Sequence, residues 1–215
     1  LAKLPLRGQD YHQETIGTFL QKLEDPSAPV RRTAFTKLPK IVSTKDSDYD
    51  GVVDRLLEHL DPNTSLTDHG RKKPPFRITP DTREEFRHLV VDTLVAITGK
   101  GNVKVMSKIC KLMEHPDLDL RCSMISSLDR VYAPIIEDNV KHKYDPTIEV
   151  LIRCLSESND YVRDAAVPAI QNLCTKDNIN QITSALFRLL GAEDHGVRTS
   201  AVSVLLYITP MPPEG

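Results

Sequence analysis

The stretch SNDYVRDAAVPAIQNL, residues 158–173, places an arginine where a buried helix begins. Val162, Ala166, Ile170 and Leu173 fall at i, i+4, i+8 and i+11, one apolar stripe of a 3.6-residue helix, and Arg163 follows the first of them. A guanidinium at the head of such a stripe must reach water or find acceptors, because burying it unpaired is costly.

The arginine recurs. VRRTAFTKLPKI supplies Val30, Arg31, Ala34, Leu38 and Ile41, and FRHLVVDTLVAI supplies Phe86, Arg87, Val90, Leu94 and Ile97. LRCSMISSLDRV supplies Leu120, Arg121, Met124, Leu128 and Val131, and VRTSAVSVLLYI supplies Val197, Arg198, Ala201, Leu205 and Ile208. Successive arginines are separated by 56, 34, 42 and 35 residues, the range of helical-repeat proteins, in which one helix pair cannot bury its own face and stacks on its neighbours. Each template follows a second apolar helix: TIGTFLQKL, VVDRLLEHL, VKVMSKICKLM, TIEVLIRCL or ITSALFRLL. Short corners rich in turn residues, EDPSAP, EHPDLD, SESND and GAEDHG, join the two helices of a pair. Period-two β-branched runs are absent, which removes a sheet-based fold.

The expectation is an all-α solenoid, a right-handed superhelix of about five helix-turn-helix repeats in one domain spanning residues 1–215. The repeats are placed at about 13–42, 51–98, 103–132, 146–174 and 180–208. At this point the sequence resembles the HEAT-repeat (armadillo-like) family. In that family the second helix opens with an apolar-Arg pair, and an aspartate six residues earlier sits in the corner. Asp25 holds that place before Arg31, Asp81 before Arg87, and Glu157 before Arg163. His115 and Ala192 hold it before Arg121 and Arg198, with Asp117, Asp119 and Asp194 nearby. The resemblance implies an Asp–Arg ladder, read here as architecture rather than as a ligand site.

The spacing of 56 contains an insert, DPNTSLTDHGRKKPPFRITPD, residues 61–81, with four prolines and the basic cluster Arg71, Lys72 and Lys73. Two readings stand for it: a docking loop for an acidic partner surface, and a solvated loop. APIIEDNVKHKYDP, residues 133–146, lengthens the connection behind the spacing of 42.

The formal net charge of −2 advertises no global nucleic-acid field, but the charge is unevenly spread. Residues 1–45 hold eight Lys/Arg against four Asp/Glu, whereas residues 146–215 hold five against eight. The four cysteines, Cys110, Cys122, Cys154 and Cys174, lack metal-type spacing and read as free thiols in a reducing compartment. No apolar run is long enough to span a membrane, so the expected setting is intracellular, cytoplasmic or nuclear. The start, LAKLPLRGQD, has neither an initiator Met nor a signal-peptide core and reads as a segment of a longer protein.

Catalytic chemistry finds little purchase. HEAT-like deoxyhypusine hydroxylases bind iron through His-Glu pairs; here Glu58-His59 and Glu114-His115 run in the reverse order and there are two of them. HEAT-like DNA glycosylases need a cationic concave face and aromatic platforms. A positive run occurs only on the first helix B, at Arg32, Lys37 and Lys40, and the chain has no tryptophan. Tubulin-binding arrays use basic corners, and these corners are mostly acidic. STKDSDYDG, residues 43–51, lacks EF-hand spacing, and TGKGN, residues 98–102, reads as a helix stop rather than a phosphate loop.

The expected function is therefore a protein-interaction scaffold without catalysis, cofactor or metal. Its expected contact residues are Arg32, Lys37, Lys40, Arg71, Lys72 and Lys73, and its expected ligand is an acidic protein segment. A nucleic-acid-associated protein using the same basic end is the alternative. The apolar finish Val204–Ile208 predicts further repeats or a partner at the last helix.

Overall fold

The computed structural model describes residues 8–61, 80–133 and 145–209, the side chains of 8–10 and 80–82 aside. Every regular element in them is helical: α1 (Gly8–Lys22), α2 (Ala28–Lys37), α3 (Tyr49–Glu58), α4 (Pro80–Thr98), α5 (Val103–Leu112), α6 (Leu118–Ser126), α7 (Leu128–Val131), α8 (Pro146–Leu155), α9 (Asp160–Leu173), α10 (Ile179–Leu189) and α11 (His195–Ile208). The chain divides into two compact units, residues 1–99 and 100–215. The first contains the pairs α1–α2 and α3–α4; the second contains α5–α6/α7, α8–α9 and α10–α11. In the second unit α9 packs on α6, α8 and α11, so the helix bearing Arg163 is its centre.

The local sequence explains where these helices begin. Asn102, Asp117, Asp145, Asn159 and Asp194 each accept backbone N–H bonds at the head of the following helix, satisfying donors that the helix itself leaves orphaned. Prolines stand at the first helical turn of α2 and α8, where no N–H is needed. After α4, Gly99 and Gly101 take φ of +78° and +77°, so TGKGN is a glycine-built helix stop. A Cβ at Gly101 would also overlap Ala133.

Two second helices depart from an unbroken template. α2 ends at Lys37 and passes into a 3₁₀ turn, Leu38–Lys40, leaving the stripe residue Ile41 half-buried beyond the helix. Pro39 is the cause, since it has no N–H to offer the carbonyl four residues back, although Leu38 before it keeps α dihedrals. The Leu120–Val131 template is interrupted at Ser127, which is fully buried and whose hydroxyl donates to the Ser123 carbonyl at 2.7 Å. Such back-bonding bends a helix without redirecting its stripe, and Leu120, Met124, Leu128 and Val131 all remain buried. α9, by contrast, runs straight through Pro168, which is exposed together with Asp164, whose carbonyl loses its helical donor.

The stripes make the core. Val162, Ala166, Ile170 and Leu173 are buried in α9, and Phe35 packs edge-on against Phe86 with ring centroids 5.4 Å apart. Stripe heads differ in burial: Val30 is 37% exposed and Phe86 half-buried, whereas Leu120 and Val162 are 0% and Val197 is 3% exposed. In α11 the buried residue is Val204, and Leu205 is only half-buried.

Candidate functional site

Three of the corner arginines use the same acceptor. Arg31 donates through Nη1 to the carbonyl of Asp25 (2.7 Å), Arg163 to that of Glu157 (2.5 Å) and Arg198 to that of Ala192 (2.7 Å). In each case the acceptor lies six residues back and is backbone, so the side chain at that position is free to vary. This revises the expected ladder: Ala192 is no defect in it, because the carbonyl is the partner. The Asp25 carboxylate accepts from the Ser27 amide and pairs with Lys22, and these bonds, with the Lys22 and Arg31 charges behind them, hold it below the usual carboxylate range.

The guanidiniums also reach forward along the second unit. Arg121 donates through Nε to the Met113 carbonyl at 3.0 Å and through Nη2 to the Glu157 carboxylate of the next pair. That bond, more than the burial opposing it, pushes the Arg121 pKa up. Arg163, only 5% exposed, pairs with Asp160, and a Cβ at Gly196 of the next helix pair would overlap its guanidinium. Glu157 is thus shared by two repeats, its carbonyl serving Arg163 and its carboxylate serving Arg121. Arg87 is 5% exposed and stands seven residues into α4, which begins at Pro80 and so already contains Asp81, expected in the corner; the side chain of Asp81 lies outside the described residues.

Of the expected contact residues, Arg32 is exposed but ion-paired with Glu85 of α4, so part of its charge is already answered. Lys37 and Lys40 are exposed where α2 gives way to the 3₁₀ turn. Arg71, Lys72 and Lys73 lie outside the described residues.

The groups with chemical potential serve the fold. His59, whose side chain is 4% exposed, lies 3.9 Å from Glu24 and edge-on to Phe86. Burial lowers its pKa to about 4, against the opposing pull of Glu24, so it is neutral near pH 7. His115 accepts the Asp117 amide through Nδ1 at 3.0 Å and shapes its corner. Burial raises all four cysteine thiols, Cys154 to about 12, which suppresses their thiolates. Among the described residues no three His, Cys, Asp or Glu side chains are grouped to hold a metal, and no helix is long and apolar enough to cross a membrane.

One feature, the network around Asp145, is missed at the sequence level. Asp145 is 5% exposed and caps α8; it also accepts the Tyr132 hydroxyl at 2.6 Å. Its backbone is clasped by Gln181, whose Oε1 accepts the Asp145 amide (2.9 Å) and whose Nε2 donates to the Asp145 carbonyl (3.0 Å). Burial, then Asp145, raises the Tyr132 pKa, keeping the phenol protonated as a donor. The Asp-Pro-Thr run at 145–147 is a sequence signal for the cap but not for this long-range network. A groove of about 400 Å³ beside it is lined by Val103, Met106, Cys110, Tyr132, Thr147 and Val150. The apolar finish expected at the last helix is seen on α10–α11, where Phe187, Val202, Leu206 and Tyr207 are 66%, 43%, 73% and 64% exposed.

No family model and no curated protein matches the sequence. Among solved structures the chain is similar to an engineered protein, at 17% identity and a TM-score of 0.38 over 90% of this chain and 80% of that one. It is also similar to a designed armadillo repeat protein, at 14% identity and a TM-score of 0.35 over 90% of this chain and all of the other.

Proposed function

We propose that the chain is a HEAT-like scaffold that binds other proteins and performs no chemistry of its own, its ligand being an acidic segment held at the basic N-terminal end. The observation that supports this reading most is where the polar groups are committed. The corner arginines Arg31, Arg163 and Arg198, and His115, Tyr132 and Asp145, are turned onto the protein's own backbone and side chains, whereas Lys37 and Lys40 face solvent at a helix end. A lysine pair in that setting offers charge that a carboxylate-rich ligand answers, through contacts that salt weakens.

The test is a pull-down from lysate at low and at high salt. The chain is compared with a Lys37→Glu, Lys40→Glu variant and separately with an Arg71→Glu, Lys72→Glu, Lys73→Glu variant. The proposal expects a partner with an acidic segment that is lost at high salt and lost from at least one variant. A partner set unchanged by both variants and by salt would remove the basic end as the site. Duplex DNA titrated in parallel separates the nucleic-acid reading: affinity falling steeply with log salt would replace the scaffold by a phosphate binder.

A further inference from the structure

We propose that the first unit holds one internal water as a structural ligand, bridging Glu24, Arg55 and His59 and so joining the first helix pair to the second. Glu24 lies just beyond α1, in the corner that leads to α2. Arg55 stands on α3, and His59, one turn later, closes that helix. The three side chains converge on one oxygen. Arg55 Nη2 donates to Glu24 Oε1 at 3.2 Å, and His59 Nε2 lies 3.9 Å from the same atom.

Two nitrogens of this cluster, Arg55 Nε and His59 Nε2, are shut off from solvent and have no hydrogen-bond partner among the described residues. Buried polar atoms are rarely left so, because each forfeits the bond that water gives it in the unfolded chain. The imidazole is also held in place: its side chain is 4% exposed, and it meets Phe86 edge-on with ring centroids 6.0 Å apart.

The chemistry of the three groups selects the ligand. A cation would sit against the Arg55 guanidinium and an anion against the Glu24 carboxylate, each a like-charge contact away from bulk solvent. An apolar guest would leave both nitrogens unsatisfied. A small neutral molecule that donates and accepts through one atom answers all three groups, and water is the smallest. An oxygen about 2.8 Å from both Glu24 Oε1 and His59 Nε2 spans their separation by lying off the line between them. Three polar partners are what an ordered internal water ordinarily has.

The bond directions follow from the groups themselves. Arg55 Nε carries an N–H and donates to the water, and the Glu24 carboxylate accepts from it. The water's second hydrogen goes to His59 Nε2, which must then present a lone pair, with the ring proton on Nδ1. Burial keeps His59 neutral near pH 7, so that lone pair is available. The competing arrangement has the proton on Nε2 and donates it straight to Glu24, a bond that 3.9 Å is too long to make.

Two measurements on the full chain near pH 7 test this. Nitrogen NMR of the imidazole rings reads the tautomer of His59, whose resonance is the one missing from a His59→Gln variant. The proposal requires an unprotonated Nε2 and a protonated Nδ1; a proton on Nε2 overturns it. Magnetic relaxation dispersion of the solvent counts long-lived internal waters. The wild type is compared with His59→Phe, which keeps a ring against Phe86 without a lone pair, and with Arg55→Met. Each variant, verified as folded by helical circular dichroism, should hold one long-lived water fewer than the wild type. An unchanged count in either folded variant overturns the proposal. The tautomer is read in the wild type, so a variant that fails to fold leaves that test standing.

Discussion

Helices α9 and α11 obey the same local rule and end in different surroundings. Both open with a capping side chain, a buried valine and an arginine that bonds the carbonyl six residues back. In α9 the arginine is buried, and a helix pair packs on either side. In α11 the arginine is half-exposed, and Val202, Leu206 and Tyr207 face solvent. The stripe and its arginine specify a helix and a corner; neighbours decide which of the remaining side chains are covered.

That comparison is sharpened first by cutting both arginines back. Arg163→Met should cost about 2–3 kcal/mol in urea unfolding, since it strips the donor from a part-buried carbonyl and removes a packed guanidinium. Arg198→Met, at the open end, should cost about 1 kcal/mol. Equal costs would mean that the neighbouring repeat contributes nothing to the arginine's role.

A buried histidine gives the first unit its own signature. The pKa of His59 falls from its ordinary 6.5 to about 4 in the folded chain, so the unfolded chain binds a proton that the fold refuses. Its neutral form is favoured by the fold; stability is therefore full above pH 6.5 and is lost as pH falls from there toward about 4. The loss reaches at most about 3 kcal/mol. His59→Gln should flatten the difference in stability between those two pH values relative to the wild type. A variant with the same pH dependence as the wild type would place the titration elsewhere.

The smallest effect is expected on the exposed lysines. Lys37→Glu should shift stability by no more than about 0.5 kcal/mol while changing binding, which separates surface function from architecture. A thermal melt beside the pull-down checks it.

Much of this was legible in the sequence, for a physical reason: the 3.6 period and the corner arginine are local, and five copies repeat them in register. Corner carbonyls and acidic side chains were both legible as acceptors; which of them each arginine takes was not. A backbone carbonyl has no residue identity, so a pattern of aspartates at that place looked like the partner, and Ala192 looked like a departure. The Tyr132–Asp145–Gln181 network was hidden because it joins residues up to 49 positions apart. The exposure of Val30 beside the burial of Val162 was hidden too, since one apolar-Arg pair reads like another until the stack is built. The basic cluster at 71–73 remains a sequence-level candidate outside the described residues.

The central claim is that Arg121 and Arg163 key their helix pairs to the next pair of the second unit. The most direct test is a double-mutant cycle of Arg163→Met with Gly196→Ala, followed by urea unfolding. In the wild type, alanine at 196 meets the Arg163 guanidinium and should destabilise by about 1 kcal/mol. With Arg163→Met already in place, the same change should be neutral or stabilise by up to about 1 kcal/mol, because alanine is the better helix former. A coupling of at least about 1 kcal/mol is the predicted result. Additive effects, with Gly196→Ala costing the same in both backgrounds, would contradict the claim that Arg163 and the next repeat share one packed corner.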